Sequence, residues 1–271
     1  MLEAINETTS FIREQISIQP ETAIILGTGL GKIADQVEPE KIIPYEDIPN
    51  FPVSTVKGHD GKLIIGQYAG KEVIVLNGRF HFYEGYSMQE VTFPIRVLKF
   101  LGIKNLFISN AAGGMNPDFE IGDVMFINDH INLMPNPLIG FHHPSFGDRF
   151  PDMSAVYNQD LIREAMQAAT SQKLRAHKGC YVGVTGPTLE TPKEYEYFRI
   201  IGGDAVGMST VPEAIVAHQM GLNIFAVSVI TDLGIPGKIE KISHETVLQA
   251  AEKVAPRLVN VITEVISRLN N

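Results

Sequence analysis

Residues 224–230, Ile-Phe-Ala-Val-Ser-Val-Ile, form an almost unbroken apolar run. A strand this apolar on both faces belongs in a sheet covered on both sides, which requires helices above and below it. The rest of the chain agrees. Apolar strand-like runs at 23–26, 62–67, 72–76, 105–109, 122–133, 180–184 and 205–208 alternate with segments of helical spacing. Helical spacing is read at the N-terminus, through Leu2, Ile5, Ile12 and Ile16 up to Pro20. It recurs at 87–101, with Pro94 as a kink or late start, and at 159–172. A further helix opens after Gly186-Pro187-Thr188-Leu189-Glu190-Thr191-Pro192. Another spans 210–220, with Thr210 as N-cap and Pro212 and Glu213 in its first turn. The last is capped by Ser243 and runs to about 269, bent at Pro256. Ala69-Gly70 joins two runs as a hairpin. The expectation is an α/β fold in a single domain spanning 1–271, with a mixed central sheet flanked by helices.

The bulk properties exclude several function classes. With 22 Lys plus Arg against 31 Asp plus Glu, the net charge is -9, so the chain has no overall attraction for nucleic acid or an anionic membrane. Any phosphate must be gripped by a local cluster. The single Cys180 rules out an internal disulfide, and in its apolar surroundings it reads as a small hydrophobe. The N-terminal segment carries Glu3, Glu7 and Glu14 and does not read as a signal peptide, and no apolar run approaches the ~20 residues of a membrane span. A cytoplasmic address is the default.

Certain residues carry chemistry. Gly27-Thr28-Gly29-Leu30-Gly31 follows a strand, where converging backbone N–H groups and a hydroxyl suit an anion; a plain tight turn explains it equally well. In Gly78-Arg79-Phe80-His81-Phe82-Tyr83-Glu84-Gly85, alternation places Arg79, His81 and Tyr83 on one side of an extended segment. A permanent cation, an imidazole and a phenol on one face suit a phosphorylated ligand better than a strand edge. Glu190 either favours a helix N-terminus or accepts from the ring N–H of a base. His244 and Asp232 are equally open between local structure and a site. The His and Asp residues form no tight ligand motif, so no metal is expected.

Together the motifs resemble one family. Gly27-Thr28-Gly29-Leu30-Gly31, Gly58-His59, the segment 78–85, Asn110-Ala111-Ala112-Gly113-Gly114, Gly122-Asp123 with Asp129-His130-Ile131-Asn132, and Gly203-Asp204-Ala205-Val206-Gly207-Met208-Ser209-Thr210 are similar, in order, to the trimeric purine nucleoside phosphorylases. The match runs from about residue 20 to the C-terminus. The resemblance implies phosphate-dependent cleavage of the N-glycosidic bond of purine nucleosides, giving free base and ribose 1-phosphate. It implies a homotrimer with no cofactor, inorganic phosphate being a co-substrate.

It also implies roles. Thr28, His59, Arg79, His81, the backbone at Ala111 and Ser209 would hold phosphate. Tyr83, Met208 and His244 would line the ribose. Leu189, Glu190, Val206, Gly207 and Asp232 would face the purine, with His81, Glu190 and Asp232 as catalytic groups. Phe150 would reach the neighbouring subunit's site, which gives the long loop 134–152 a purpose. Asp232 departs from the pattern, because members that prefer 6-oxopurines usually carry Asn there. An ionised Asp accepts only, which suits a 6-amino group; a protonated one could donate to N7. Leu189 also departs, standing where the family often has an aromatic. The competing readings are a methylthioadenosine phosphorylase, which His244 argues against, a non-catalytic purine-binding protein, and a dinucleotide-binding oxidoreductase resting on the glycine turn alone.

Overall fold

The computed structural model describes residues 1–27, 31–53 and 60–269, apart from the side chain of His244. Thr28 and His59 therefore lie outside the described residues. The strands are β1 (Thr22–Ile25), β2 (Glu38–Pro44), β3 (Lys62–Tyr68), β4 (Lys71–Asn77), β5 (Asn105–Gly114), β6 (Val124–Asn132), β7 (Ala176–Gly183), β8 (Ala205–Gly207) and β9 (Asn223–Leu233). The helices are α1 (Leu2–Arg13), α2 (Met88–Val91), α3 (Phe93–Leu101), α4 (Gln159–Ser171), α5 (Pro192–Ile200), α6 (Val211–Gln219) and α7 (His244–Ser267).

Among the described residues the nine strands form one mixed sheet in the order β2-β3-β4-β1-β5-β8-β7-β6-β9, with a further pairing of β5 to β9. That extra pairing closes β5, β8, β7, β6 and β9 into a ring, while β1 to β4 extend from it as an open sheet. β5 is the fork. It pairs in parallel with β9 along its whole length; on its other edge its first half pairs in parallel with β1, and its last residues, Gly113 and Gly114, pair antiparallel with β8. A register shift against β9 between Ala112 and Gly113 lies where the edge that faced β1 passes to β8. Glycine is needed there, since a Cβ on Gly114 would stand 2.7 Å from Ile230 Cγ2.

β9 is buried from Ile224 to Asp232, as its apolar run requires. Two helix groups reach it. α1 packs on α3, α3 on α6, and α6 on β9, whereas α4 packs on α7 and α7 on β9. Phe225 lies at the centre, fully buried, with ring centroids 5.3 Å from Phe107 and 5.5 Å from Phe126. The hairpin turns at Ala69 and Gly70, at φ of 52° and 74°, the left-handed pair that matches strand twist. No helix among the described residues is long and apolar enough to cross a membrane.

Local expectations shift in several places. Ile16 falls beyond the end of α1. The segment 87–101 is two helices, because Thr92 ends one and Pro94 starts the next. β5 runs on through Asn110-Ala111-Ala112-Gly113-Gly114, and β7 starts at Ala176 rather than 180. α7 continues through Pro256. Thr210 precedes α6, but its side chain does not cap the helix; it sits at φ 71° with its hydroxyl turned to other partners.

Removing the Phe225 ring leaves a cavity between two packed rings. Phe225→Ala is expected to lower stability by about 3–5 kcal/mol, read as a fall in denaturant midpoint with an unchanged slope.

Candidate active site

Parallel strands that end on the same side leave a crevice where their connections diverge, and ligands bind outside those carboxyl ends. Here β1, β4, β5 and β9 are mutually parallel through shared neighbours. Beyond their ends lies a cavity of ≈ 440 Å³, within the range of small-molecule sites. β1 leads to Gly27, β4 leads to Arg79, His81 and Tyr83, β5 supplies Asn110 to Gly113, and β9 supplies Thr231 and Asp232. β8 and the turn after it give Val206, Gly207, Met208 and Ser209; the loop after β7 gives Pro187, Leu189 and Glu190; Val247 comes from α7.

One end is built around a buried cation. Arg79 is 3% exposed. Its Nη1 donates to Ser209 Oγ at 2.9 Å and to Thr210 Oγ1 at 3.1 Å, and its Nη2 donates to the Ser109 carbonyl. Glu213, in the first turn of α6, places Oε1 3.6 Å from Nη1. Asn110 Nδ2 donates to the same Thr210 oxygen at 2.8 Å. Thr210 thus anchors two N–H donors, and its left-handed backbone is strain held by those contacts. Ser209 Oγ accepts from Arg79 and lies 3.3 Å from Thr210 Oγ1, so the two hydroxyls and the guanidinium form one cluster.

Beside this cluster, His81 is fixed by Glu84, whose Oε1 lies 3.0 Å from Nδ1 and accepts from the His81 backbone N–H at 2.8 Å. Tyr83 reaches the cavity by a different route from the one its alternation suggested. The extended backbone ends at His81, and residues 82–84 form a 3-10 turn. That turn stacks the Tyr83 ring on His81, with centroids 4.6 Å apart and planes 14° apart.

The other end carries two carboxyl groups. Asp232 is buried, accepting from Tyr195 Oη at Oδ2 (3.0 Å) and from Thr231 Oγ1 at Oδ1 (3.0 Å). Burial raises its pKa above the ordinary carboxylate value, and the two hydroxyl donors offset part of that. Glu190 is half-buried; desolvation raises its pKa too, and the nearby Asp232 adds to the rise. Cys180 is half-buried away from the cavity, with its thiol pushed up to about 12.

The structure thus gathers Arg79, His81, Tyr83, Ala111, Leu189, Glu190, Val206, Gly207, Met208, Ser209 and Asp232 around one cavity. Phe150 does not line it; this ring stands 89% exposed on the long loop. His244 heads α7, and its side chain is outside the described residues. Sequence reasoning missed Tyr195, Asn110, Thr231, Glu213 and Val247. Asn110 and Thr231 adjoin residues already singled out, Ala111 and Asp232. Tyr195 carried no signal, because only the fold brings α5 behind β9. Among the described residues no group of three or more His, Cys, Asp or Glu is gathered as a metal ion would need.

The phosphorylase superfamily model matches residues 21–267. A relative from Bacillus subtilis (strain 168), purine nucleoside phosphorylase 1, is 46% identical over 269 residues, covering 99% of each chain. The crystal structure of a Schistosoma purine nucleoside phosphorylase in complex with hypoxanthine superposes with a TM-score of 0.94 at 41% identity, covering 100% of this chain and 98% of that one. The Schistosoma mansoni enzyme in complex with adenosine matches with the same TM-score, identity and coverage. This family has no place for the dinucleotide-binding reading.

Asp232 binds a proton more readily folded than unfolded, so its share of stability is present below the ordinary value of 3.8 and is lost as pH rises through the raised folded value. Asp232→Asn removes that loss. Thermal midpoints from about pH 4 to about pH 8 should fall less steeply in the variant and end higher at neutral pH; superimposable curves would contradict a desolvated carboxylate. With both ends of the cavity in place and these relatives alongside, the chain belongs to the purine nucleoside phosphorylases of the phosphorylase superfamily.

Proposed function

We propose that this chain is a purine nucleoside phosphorylase, cleaving a purine nucleoside with inorganic phosphate to free base and ribose 1-phosphate. The observation that carries the reading is polarity: one cavity has a buried, hydroxyl-ringed guanidinium at one end and two carboxyl groups at the other. A nucleoside plus phosphate has the matching polarity, with an anion at one side of the sugar and a base bearing N–H groups at the other.

Glycosidic cleavage runs through a ribosyl cation, so the task is to place charge. Phosphate held beneath C1′ stabilises that cation and then attacks it. Arg79, Ser209, His81 and the backbone at Ala111, with Thr28 and His59, are the groups we assign to hold it. Their fixed positions replace solvent reorganisation and the entropy of an encounter. Thr210, Asn110 and Glu213 hold Arg79 and its hydroxyl partners in place. Tyr83, Met208 and His244 are assigned to the ribose. Leu189, Val206 and Gly207 flank the base, and the exposed edge at Leu189 leaves one side of it open.

As the bond breaks, electron density moves onto the purine. Glu190 ionised accepts from N1–H of a 6-oxopurine, while Asp232 protonated donates toward N7. Asp232 ionised accepts instead from a 6-amino group. Substrate range on this reading extends to adenosine; the complex of the Schistosoma mansoni relative with adenosine is in keeping with that.

We also assign a homotrimer in which Phe150 closes a neighbour's site. Ile139, Phe141 and Phe150 expose large apolar side chains along the loop, at 67%, 59% and 89%, a surface suited to cover by another copy.

Release of base from inosine, guanosine and adenosine should require phosphate, with ribose 1-phosphate formed in equal amount. Arg79→Ala should lower kcat/KM about 10²–10³-fold, mostly through phosphate. Base release that proceeds unchanged without phosphate would sink this assignment.

A further inference from the structure

Arg96 lies on α3, away from the cavity, and is 4% exposed. Burial lowers its pKa to about 10, and no acid pairs with it among the described residues. Nη1 makes long contacts, to Gln219 Oε1 at 3.5 Å and to Met220 Sδ at 3.7 Å. The guanidinium covers the face of Phe146, with Cζ 4.2 Å from the ring centroid. A planar cation out of water is held strongly by such a face. Phe146 is fully buried and belongs to the long loop 134–152.

The residues after Phe146 are seated on the end of α6. Gly147, at φ 94°, passes so near that a Cβ there would stand 1.9 Å from the Gln219 carbonyl oxygen. Gln219 Nε2 donates to the Asp148 carbonyl at 2.9 Å, and His218 Nε2 donates to the Asp152 carbonyl at 2.7 Å. Between those two pinned carbonyls stands Phe150, 89% exposed. Its neighbour Arg149 is tied as well, donating to the Leu138 carbonyl at 2.6 Å. The backbone on both sides of the exposed ring is thus fixed. Phe146 is the buried end of this seat, and Arg96 is the group packed on its face.

We propose that Arg96 is a positioning residue: by holding the Phe146 ring it seats residues 146–152 so that Phe150 is presented, already ordered, to the nucleoside site of a neighbouring copy. This rests on the phosphorylase reading and on the place assigned to Phe150. A ring on a seated loop loses less conformational entropy in closing a site than one on a slack loop. The effect of Arg96 therefore falls on the nucleoside rather than on phosphate, and in the next subunit rather than in its own.

The test is steady-state kinetics on the oligomer, with inosine and phosphate varied in turn. Arg96→Met removes the charge and keeps the stem, a replacement that buried sites often tolerate. Inosine KM should rise about tenfold, with kcat and phosphate KM unmoved. Phe150→Ala should raise inosine KM by a similar factor, and adding Arg96→Met to it should raise it no further. Arg96→Lys keeps the charge but not the planar stack, so it should recover part of the loss. Co-expression with Glu190→Ala gives mixed oligomers in which one chain has an intact loop and a disabled base end. Part of the Arg96→Met activity should there regain the wild-type KM. An unmoved inosine KM in a folded Arg96→Met overturns the inference. So does a rise that persists in the Phe150→Ala background, a Phe150→Ala without effect, or the lack of a recovered phase in the mixed oligomers. If Arg96→Met fails to fold, Arg96→Lys reads the same cycle with a smaller rise, and an unmoved KM is equally decisive. Each of these outcomes leaves phosphorylase activity standing. A wild type that releases no base from inosine with phosphate fails the assigned function itself.

Discussion

The buried guanidinium of Arg79 is the constraint around which the site is arranged. An unpaired cation at 3% exposure would cost several kcal/mol. The chain offsets this with contacts from three elements: the Ser109 carbonyl on β5, the Ser209 and Thr210 hydroxyls before α6, and Glu213 inside α6. Those contacts tie the connection after β4 to β5 and to the β8–α6 turn. The residues we assign to phosphate therefore add side-chain ties to the β1–β5 pairing that joins the open sheet to the closed ring.

The opposite end of the cavity is held under a different tension. Glu190 and Asp232 are desolvated, and their proximity disfavours ionising both. A pocket chosen for stability alone would not keep two carboxyl groups there. Perturbed groups of this kind gather where chemistry is done, and hydroxyls from Tyr195 and Thr231 hold Asp232 in a defined pose.

Both ends meet because β5 belongs to the open part of the sheet and to the closed ring at once. Its parallel pairing with β1 and β9 brings their carboxyl ends together, and its late switch to β8 opens the backbone at Asn110 to Gly113 toward the cavity. Glycine at 113 and 114 is what lets the strand make that switch beside Asp232, Tyr195 and Ile230.

Much of this was legible from residue order. The apolar run at 224–230 required a doubly covered strand, and alternation of strands with helices required an α/β fold, since periodicity is a local property of the chain. The cation at Arg79 stood out on one face of its segment, whereas Glu190 and Asp232 read equally well as local structure until the family resemblance gave them a place in a site. The tertiary structure alone decided which of them share a cavity, that Thr210 serves Arg79 rather than its helix, and that Tyr83 arrives on a 3-10 turn. It alone placed Tyr195 against Asp232, 37 positions apart in the chain. Such pairings depend on how strands register and fork, and contacts between distant segments leave no periodic trace in the segments themselves.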